Sequence, residues 1–177
     1  MKKAAVLMAG LALALPALAA DKWKEEFTRH WKVTKDFTLA VADGMPAEHY
    51  NFAPNAEEMV FGKLMAHIAM ANNNNFALVS GQKAPPPPQN IATAYKDPKG
   101  TFDKETVRKF LADSFDFCTR ALEQINEDKL DTLTGPAGRQ LTGRERLWSY
   151  FTHTAHHRGQ AEVYMRVKDI KPPAYRF

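Results

Sequence analysis

Two histidines near the C-terminus, His153 and His157, are the residues of this sequence most suited to chemistry. They lie four residues apart in the stretch Y-F-T-H-T-A-H-H-R-G-Q-A-E-V-Y, whose apolar residues recur at the three- and four-residue steps typical of an α-helix. On a helix this spacing puts both imidazoles on one face, about 6 Å apart along the axis, where both can reach one metal ion at about 2.0–2.1 Å. His156 points about 60° away from His153. The pair taken alone also fits two ordinary polar histidines on a helix.

A third candidate ligand, His67, lies in the apolar segment F-G-K-L-M-A-H-I-A-M-A. A histidine on an apolar helix face is ordinarily a hydrogen-bonded core residue. If this helix faces the one that carries His153 and His157, however, the three imidazoles meet, and the sequence then predicts one divalent metal site. Three imidazoles suit zinc, nickel or iron(II), and they leave a coordination position open for chemistry. His30, on the apolar stripe of the first predicted helix, is a rival ligand that we interpret as a histidine at the edge of the core.

Three polar residues are candidates for binding a small-molecule substrate beside this site. Gln160 and Tyr164 share the helix face of the two C-terminal histidines, and Asn74 follows His67 by seven residues, which places it on nearly the same face. A solvated, locally weak helix explains the run of four asparagines that includes Asn74 equally well. Arg158 stands just off the ligand face, as a structural or solvent-facing arginine or as one that holds an acidic group or a partner helix. No acidic residue on this face is suited to act as a general base, so the catalytic residues stay unknown.

The N-terminus has the pattern of a cleaved targeting signal, which we assign to residues 1–20. Lys2 and Lys3 form a short basic region, Ala4–Leu15 is an apolar run, and Ala17–Ala19 is a small-residue cleavage site. The apolar run is too short for a comfortable membrane span. The sequence therefore predicts a periplasmic or secreted protein whose folded domain covers residues 21–177.

The composition excludes a nucleic-acid-binding role. Removal of Lys2 and Lys3 lowers the count of basic side chains from 24 to 22, against 20 acidic ones, so the mature chain is nearly neutral. Cys118 is the only cysteine and cannot form an internal disulfide, so stability must come from packing. Its apolar neighbours indicate a small buried residue and not a reactive thiol. We expect no membrane partner, and a homodimer is compatible with the sequence.

Four apolar stripes predict an all-α domain. Helix one covers Asp21–Asp43, and Asn55, with an acidic residue three positions later, is the expected N-cap of helix two. Thr101 is the expected N-cap of helix three. Helix four begins at Thr142, with Glu145 completing a capping box. No strand alternation appears anywhere in the sequence.

The connection between helices two and three, Gly81–Gly100, is too long for a tight turn. It contains Pro85–Pro88, and consecutive prolines favour extended polyproline II. We therefore expect a four-helix bundle with a long Pro-rich crossover that lets helices two and three lie parallel.

Several motifs resemble the DinB/YfiT-like superfamily. They are H-T-A-H-H-R-G-Q followed by I-K-P-P-A-Y near the C-terminus, the segment L-M-A-H-I-A, and F-A-P-N-A-E-E-M-V-F-G-K-L before it. The resemblance extends over Trp23–Tyr175, nearly the whole mature chain. It implies a four-helix bundle that binds a divalent metal through three histidines, which map onto His67, His153 and His157.

The resemblance also implies a choice of activities. Some relatives are thiol-dependent transferases or isomerases in which the metal activates a small thiol, and others are similar to metal-dependent hydrolases. A signal peptide departs from the thiol pattern, because low-molecular-weight thiols are mainly cytoplasmic. We therefore expect an exported metalloenzyme of the thiol-dependent transferase or hydrolase kind. The alternative is a periplasmic metal- or small-molecule-binding bundle without catalysis.

Overall fold

The computed structural model describes the backbone of residues 9–176 and the side chains of residues 22–176. Its elements in chain order are α1 Ala9–Gly44, a 3-10 helix Ala47–His49, α2 Phe61–Ser80, α3 Gln89–Lys96, α4 Lys104–Glu123, α5 Glu127–Asp131, β1 Leu133–Thr134, β2 Leu141–Thr142 and α6 Gly143–Val167. The four long helices α1, α2, α4 and α6 pack on one another as a bundle, which confirms the predicted fold class.

Helix α1 already includes Ala9, the first residue that the structure describes, well before Asp21, where the sequence predicted its start. The basic residues Lys2 and Lys3 lie outside the described residues. That residues 1–20 are a cleaved signal stays a prediction. Within the part of the chain that the structure describes, no helix combines the length and apolar character that a membrane span needs.

Aromatic side chains form the centre of the core. The Trp31 ring of α1 lies 4.5 Å from the ring centroid of Phe76 on α2 and 5.3 Å from that of Phe115 on α4. Phe27, one turn earlier, stacks on Trp31 and meets Trp148 of α6 edge-on at 5.3 Å. These large apolar rings pack where the helices meet, and such packing must hold the bundle together because a single cysteine cannot form an internal disulfide.

Helix α2 begins at Phe61, so the predicted N-cap at Asn55 is wrong. The Asn55 side chain instead accepts a hydrogen bond from the backbone N–H of Glu57 at 2.9 Å, as in a local turn. The preceding loop caps the helix by its backbone, because the N–H of Phe61 donates to the carbonyl of Phe52 at 2.9 Å. A side-chain cap is then unnecessary.

Helix α4 begins at Lys104, and its N-cap is Asp103 in place of the predicted Thr101. The Asp103 carboxylate accepts from the backbone N–H of Thr106 at 2.8 Å, which lowers the pKa of Asp103. The helix cannot begin earlier, because the Asn51 side chain pairs with the backbone of Phe102, accepting from its N–H at 2.7 Å and donating to its carbonyl at 3.2 Å.

The crossover between α2 and α4 is extended at the prolines, as predicted, and Pro88 has φ −51° and ψ 145°, close to polyproline II. The sequence did not predict α3, the two-turn helix that follows, which holds the buried Ile91 against the bundle. Helices α2 and α4 lie parallel, as expected. Gly62 packs against Phe102 at their starts, and the Ser114 hydroxyl donates to the Ala69 carbonyl at 2.9 Å further along.

Helix α6 begins where the sequence predicted. Thr142 is its N-cap, the Thr142 hydroxyl accepts from the N–H of Glu145 at 3.2 Å, and the Glu145 carboxylate accepts from the N–H of Thr142 at 2.8 Å. Just before it, β1 and β2 form a two-stranded antiparallel ribbon. Strands of two residues are too short to show alternation, so no sequence pattern predicted them.

A buried arginine fixes the first turn of α6 against two other elements. Arg146 donates from Nε to the Thr134 hydroxyl of the ribbon at 2.8 Å and from Nη1 to Asn75 Oδ1 of α2 at 3.1 Å. Further along, Thr154 of α6 donates its hydroxyl to Asn72 of α2 at 3.0 Å. These bonds set the register of α6 against α2, the two helices that carry the histidines.

Candidate metal centre

Three histidines from two helices converge at one point of the bundle. The Nε2 atom of His153 lies 3.1 Å from Nε2 of His67 and 3.1 Å from Nε2 of His157. One ring nitrogen from each residue lies within 4.8 Å of the others, so the three can hold a metal ion. Tetrahedral ligands at 2.0–2.1 Å from a metal would be separated by about 3.3 Å. The spacing of the three nitrogens therefore suits a single divalent ion.

The helical register explains why two histidines of α6 face the cluster and His156 of the same helix does not. His153 and His157 are one turn apart on one face, with their ring centroids 4.4 Å apart. His156 is exposed and lies off that face, as its spacing predicted. His67 comes from α2, and its ring centroid is 4.8 Å from that of His157. Its ring is half-buried and faces the other histidines, so it is not an isolated core residue.

Hydrogen bonds on the outer side of two rings set their orientation. The amide oxygen of Gln160 lies 2.7 Å from Nδ1 of His157 and accepts from it, so the Nε2 lone pair of His157 points at the centre. On the other side, Nδ1 of His67 lies 2.9 Å from the hydroxyl of Tyr95 on α3. Outer partners of this kind hold metal-ligating imidazoles in place in known sites.

Burial keeps the three imidazoles neutral. Desolvation, with smaller contributions from neighbouring histidines, lowers the pKa of His153 to about 4. Desolvation also lowers the pKa of His67, and it lowers the pKa of His157 against the opposing effect of the Gln160 hydrogen bond. At neutral pH the rings are therefore unprotonated and available as metal ligands.

The neutral rings do not satisfy one another. A proton on Nε2 of His153 can point at only one of its two neighbours, and then the other contact lacks a hydrogen bond. If the proton is on Nδ1 instead, it is buried in a place where the structure gives that atom no hydrogen-bond partner. A cation between the three nitrogens removes the first conflict, because all three lone pairs then have a common partner. The donor set thus fits a divalent metal.

The other residues predicted at the site lie in different environments. Gln160 contacts His157, as described, whereas the Tyr164 hydroxyl is buried and donates to the Met59 carbonyl at 3.0 Å, a packing role. The side chain of Asn74 is exposed. Its neighbours in the asparagine run are buried, so the run as a whole is not a solvated, weak helix. A substrate-binding role for Gln160, Tyr164 or Asn74 stays a prediction.

Sequence reasoning missed Tyr95 and placed His30 correctly outside the cluster. Tyr95 lies in the crossover, where no periodic pattern linked it to His67. His30 is on α1 and lines a cavity on the far side of α6.

Bundle proteins characteristically build metal sites from side chains on facing helices, and the histidines of α2 and α6 form a candidate site of this kind. The chain belongs to the DinB superfamily, whose family profile matches residues 26–161. It is 30% identical over 145 residues to the uncharacterized protein YjoA of Bacillus subtilis strain 168, which corresponds to 80% of this chain and 88% of YjoA. The resemblance found in the motifs is therefore confirmed.

Two crystal structures share the fold. The DinB-like protein YjoA of Bacillus subtilis superposes with a TM-score of 0.66 at 21% identity, over 85% of this chain and 96% of YjoA. A DinB-like protein of Bacillus cereus ATCC 10987 superposes with a TM-score of 0.71 at 20% identity, over 86% of this chain and 97% of its own. At this identity the likeness concerns the fold.

Proposed function

We propose that this protein binds one divalent metal ion through His67, His153 and His157 and is a metalloenzyme acting on a small molecule. The observation that carries the proposal is the pair of 3.1 Å Nε2 separations around His153, among rings that burial keeps neutral. Zinc, nickel and iron(II) are the candidate ions, since each accepts imidazole ligands.

The reaction class follows from the number of ligands. Three protein ligands leave a coordination position open, and a metal there makes a bound water or thiol easier to ionise. The chain itself contributes the orientation of the rings through Gln160 and Tyr95. Hydrolysis by an ionised water and transfer to an ionised thiol both fit this arrangement. We propose a hydrolase or a thiol-dependent transferase.

The targeting pattern of residues 1–20 supports the proposal that the protein is exported. A basic start, an apolar run and a small-residue site within residues 1–20 favour export to the periplasm or beyond the cell. Export favours hydrolysis, because the small thiols that a transferase needs are mainly cytoplasmic.

One observation favours a second candidate, a metal-binding protein without catalysis. Among the described residues, the cluster that can hold a metal contains histidines and no carboxylate. The acidic residue nearest along the helix, Glu162, is paired with Arg158 and Arg166 at 3.8 Å each. Assays of the metal-loaded and metal-free protein with activated esters, and with a small thiol plus an electrophile, separate the two candidates. Turnover that needs the metal supports the enzyme, and its absence in every assay supports the binding protein.

Metal analysis of protein purified without an affinity tag or chelator tests the site. We expect about one ion per chain in the wild type. His67→Ala, His153→Ala and His157→Ala should each reduce it sharply, because two imidazoles hold an ion far less well than three. His156→Ala is the matched control and should keep full occupancy, since that ring is exposed and off the face. Loss of metal in His156→Ala but not in His153→Ala would overturn the assignment.

A further inference from the structure

A partly open cavity lies on the far side of α6. Its volume is about 290 Å³, and it is lined by residues of α1, α6 and the C-terminal segment that follows α6. The residues that line it are His30, Val33, Thr34, Trp148, Phe151, Ala155, Arg158, Tyr175 and Arg176. No acidic side chain is among them.

The cavity and the candidate metal centre lie on opposite sides of α6, which carries His153 and His157. Trp148, Phe151, Ala155 and Arg158 follow one another at steps of three, four and three residues, so they form one stripe along α6. At about 100° per residue this stripe is on the opposite side of the helix from the face of the histidines. The cavity is therefore a separate site and not an extension of the metal centre.

Arg158 is the unusual residue of this cavity. It is only 8% exposed, and its Nε and Nη1 atoms are buried with no hydrogen-bond partner among the described residues. The guanidinium lies 4.3 Å from the ring centroid of Phe37, and its nearest carboxylate oxygen, on Glu162, is 3.8 Å from Nε, too far for a hydrogen bond. The ion pair with Glu162 and the contact with Phe37 offset part of the cost of burying this charge, and an anion that accepts from Nε and Nη1 would supply the missing hydrogen bonds.

Besides Arg158, the lining contains the polar residues His30, Thr34 and Arg176, and its other residues are apolar or aromatic. Trp148 and Phe151 meet edge-on at 5.3 Å, and Val33 of α1 faces the same space. Arg176 lies on the exposed tail that also lines the cavity and adds a second positive charge. A ligand here must therefore combine an anionic group with an apolar body. The volume admits about ten non-hydrogen atoms, since one water takes about 30 Å³ in the liquid.

We propose that this cavity binds a small organic monocarboxylate with an aromatic body, which places its carboxylate on Arg158 and its ring against Trp148 and Phe151. This cavity and the candidate metal centre share no residues. Arginine is well suited to such a ligand, because its planar guanidinium can donate two parallel hydrogen bonds to one carboxylate.

Benzoate is a suitable probe because of its size, and benzamide is its neutral counterpart. Calorimetric titration of the metal-loaded, full-length protein should show saturable binding of benzoate and much weaker binding of benzamide. Arg158→Met should weaken benzoate binding by about ten- to a hundredfold, the effect of losing charged hydrogen bonds. Arg120→Met changes an exposed arginine on α4, a helix that does not line the cavity, and this control should bind benzoate as the wild type does.

Two further variants keep the test decisive. Ala155→Leu fills the cavity and keeps the arginine, so it should also weaken binding even if Arg158→Met does not fold. His153→Ala disrupts the metal centre, where a carboxylate can also bind, and should leave benzoate affinity unchanged. The proposal is wrong if benzoate does not bind, if benzamide binds equally well, or if His153→Ala abolishes binding while Ala155→Leu does not.

The melting temperature separates a ligand-binding arginine from a structural one. Because Arg158 makes no close hydrogen bond in the unliganded protein, Arg158→Met should melt at the same temperature as the wild type or higher. Benzoate should raise the melting temperature of the wild type and leave that of Arg158→Met unchanged. A large drop in the melting temperature of the unliganded variant would assign Arg158 to packing instead.

Discussion

The hydroxyl of Tyr95 lies 2.9 Å from Nδ1 of His67, and the two rings are nearly parallel. Tyr95 belongs to α3, the short helix in the crossover between α2 and α4. Its pKa is raised by burial, so the phenol stays protonated at neutral pH. The crossover therefore takes part in the candidate site by holding the one histidine that α6 does not supply.

Removal of either outer hydrogen-bond partner should lower the metal affinity and leave the bundle folded. Tyr95→Phe deletes the hydroxyl beside His67, and Gln160→Leu deletes the acceptor for His157. Each should lower metal affinity by about ten- to a hundredfold, as is typical when the outer hydrogen bond of a ligand is lost. Competition with a chromophoric chelator measures the affinities. Thr93→Ala, an exposed change on the same helix as Tyr95, is the control, and an equal loss in that variant would contradict the role of Tyr95.

Acid should release the metal at a lower pH than for free histidine. Histidines with an ordinary pKa of about 6.5 would take up protons and release the metal as the pH falls below about 6. Because burial lowers the pKa of all three rings, that of His153 to about 4, protons compete less well for the ligands. We expect occupancy to persist below pH 6, as measured by metal analysis after dialysis at each pH. Complete release above pH 6.5 would contradict the buried, neutral site.

The metal-free protein should lose stability in the same pH range. Between about pH 6.5 and 4 the unfolded chain binds protons on these histidines that the folded chain does not, so the free energy of unfolding falls as the pH falls. Above about pH 6.5 both states are unprotonated, and the three histidines add no pH dependence. Urea denaturation of metal-free wild type and His153→Ala tests this, since the variant should lose less stability on acidification.

Cys118 should behave as a packing residue. It is fully buried on α4, and burial raises the pKa of its thiol, so the reactive thiolate is suppressed. Cys118→Ser should lower the free energy of unfolding by about 1–3 kcal/mol, because it places a hydroxyl in an apolar site. Chemical denaturation measures this, and the metal content should stay unchanged. Loss of metal without loss of stability would show that the thiol serves the site.

The sequence predicted the C-terminal helix and its histidines well because both signals are local. The capping box of Thr142 and Glu145 and the four-residue histidine spacing each lie within one or two helical turns. The starts of α2 and α4 were predicted wrongly because distant groups set them, such as Asn51 binding the backbone of Phe102. The contact of Tyr95 with His67 and the missing hydrogen bonds of Arg158 could not be predicted for the same reason, since each depends on which parts of the chain meet in the folded bundle.

The candidate ligands His67 and His153 are far apart in the chain, and this separation determines at which stage of folding an ion can bind. His67 and His153 are separated by 86 positions, so the three-nitrogen site exists only after the last helix has docked on the second. An ion bound there would tie the two helices together in a protein whose single cysteine provides no internal cross-link. We therefore expect metal loading to be the closing step of folding. If the N-terminal segment directs export, the ion comes from the compartment beyond the membrane, and the metals available there decide which one the protein carries.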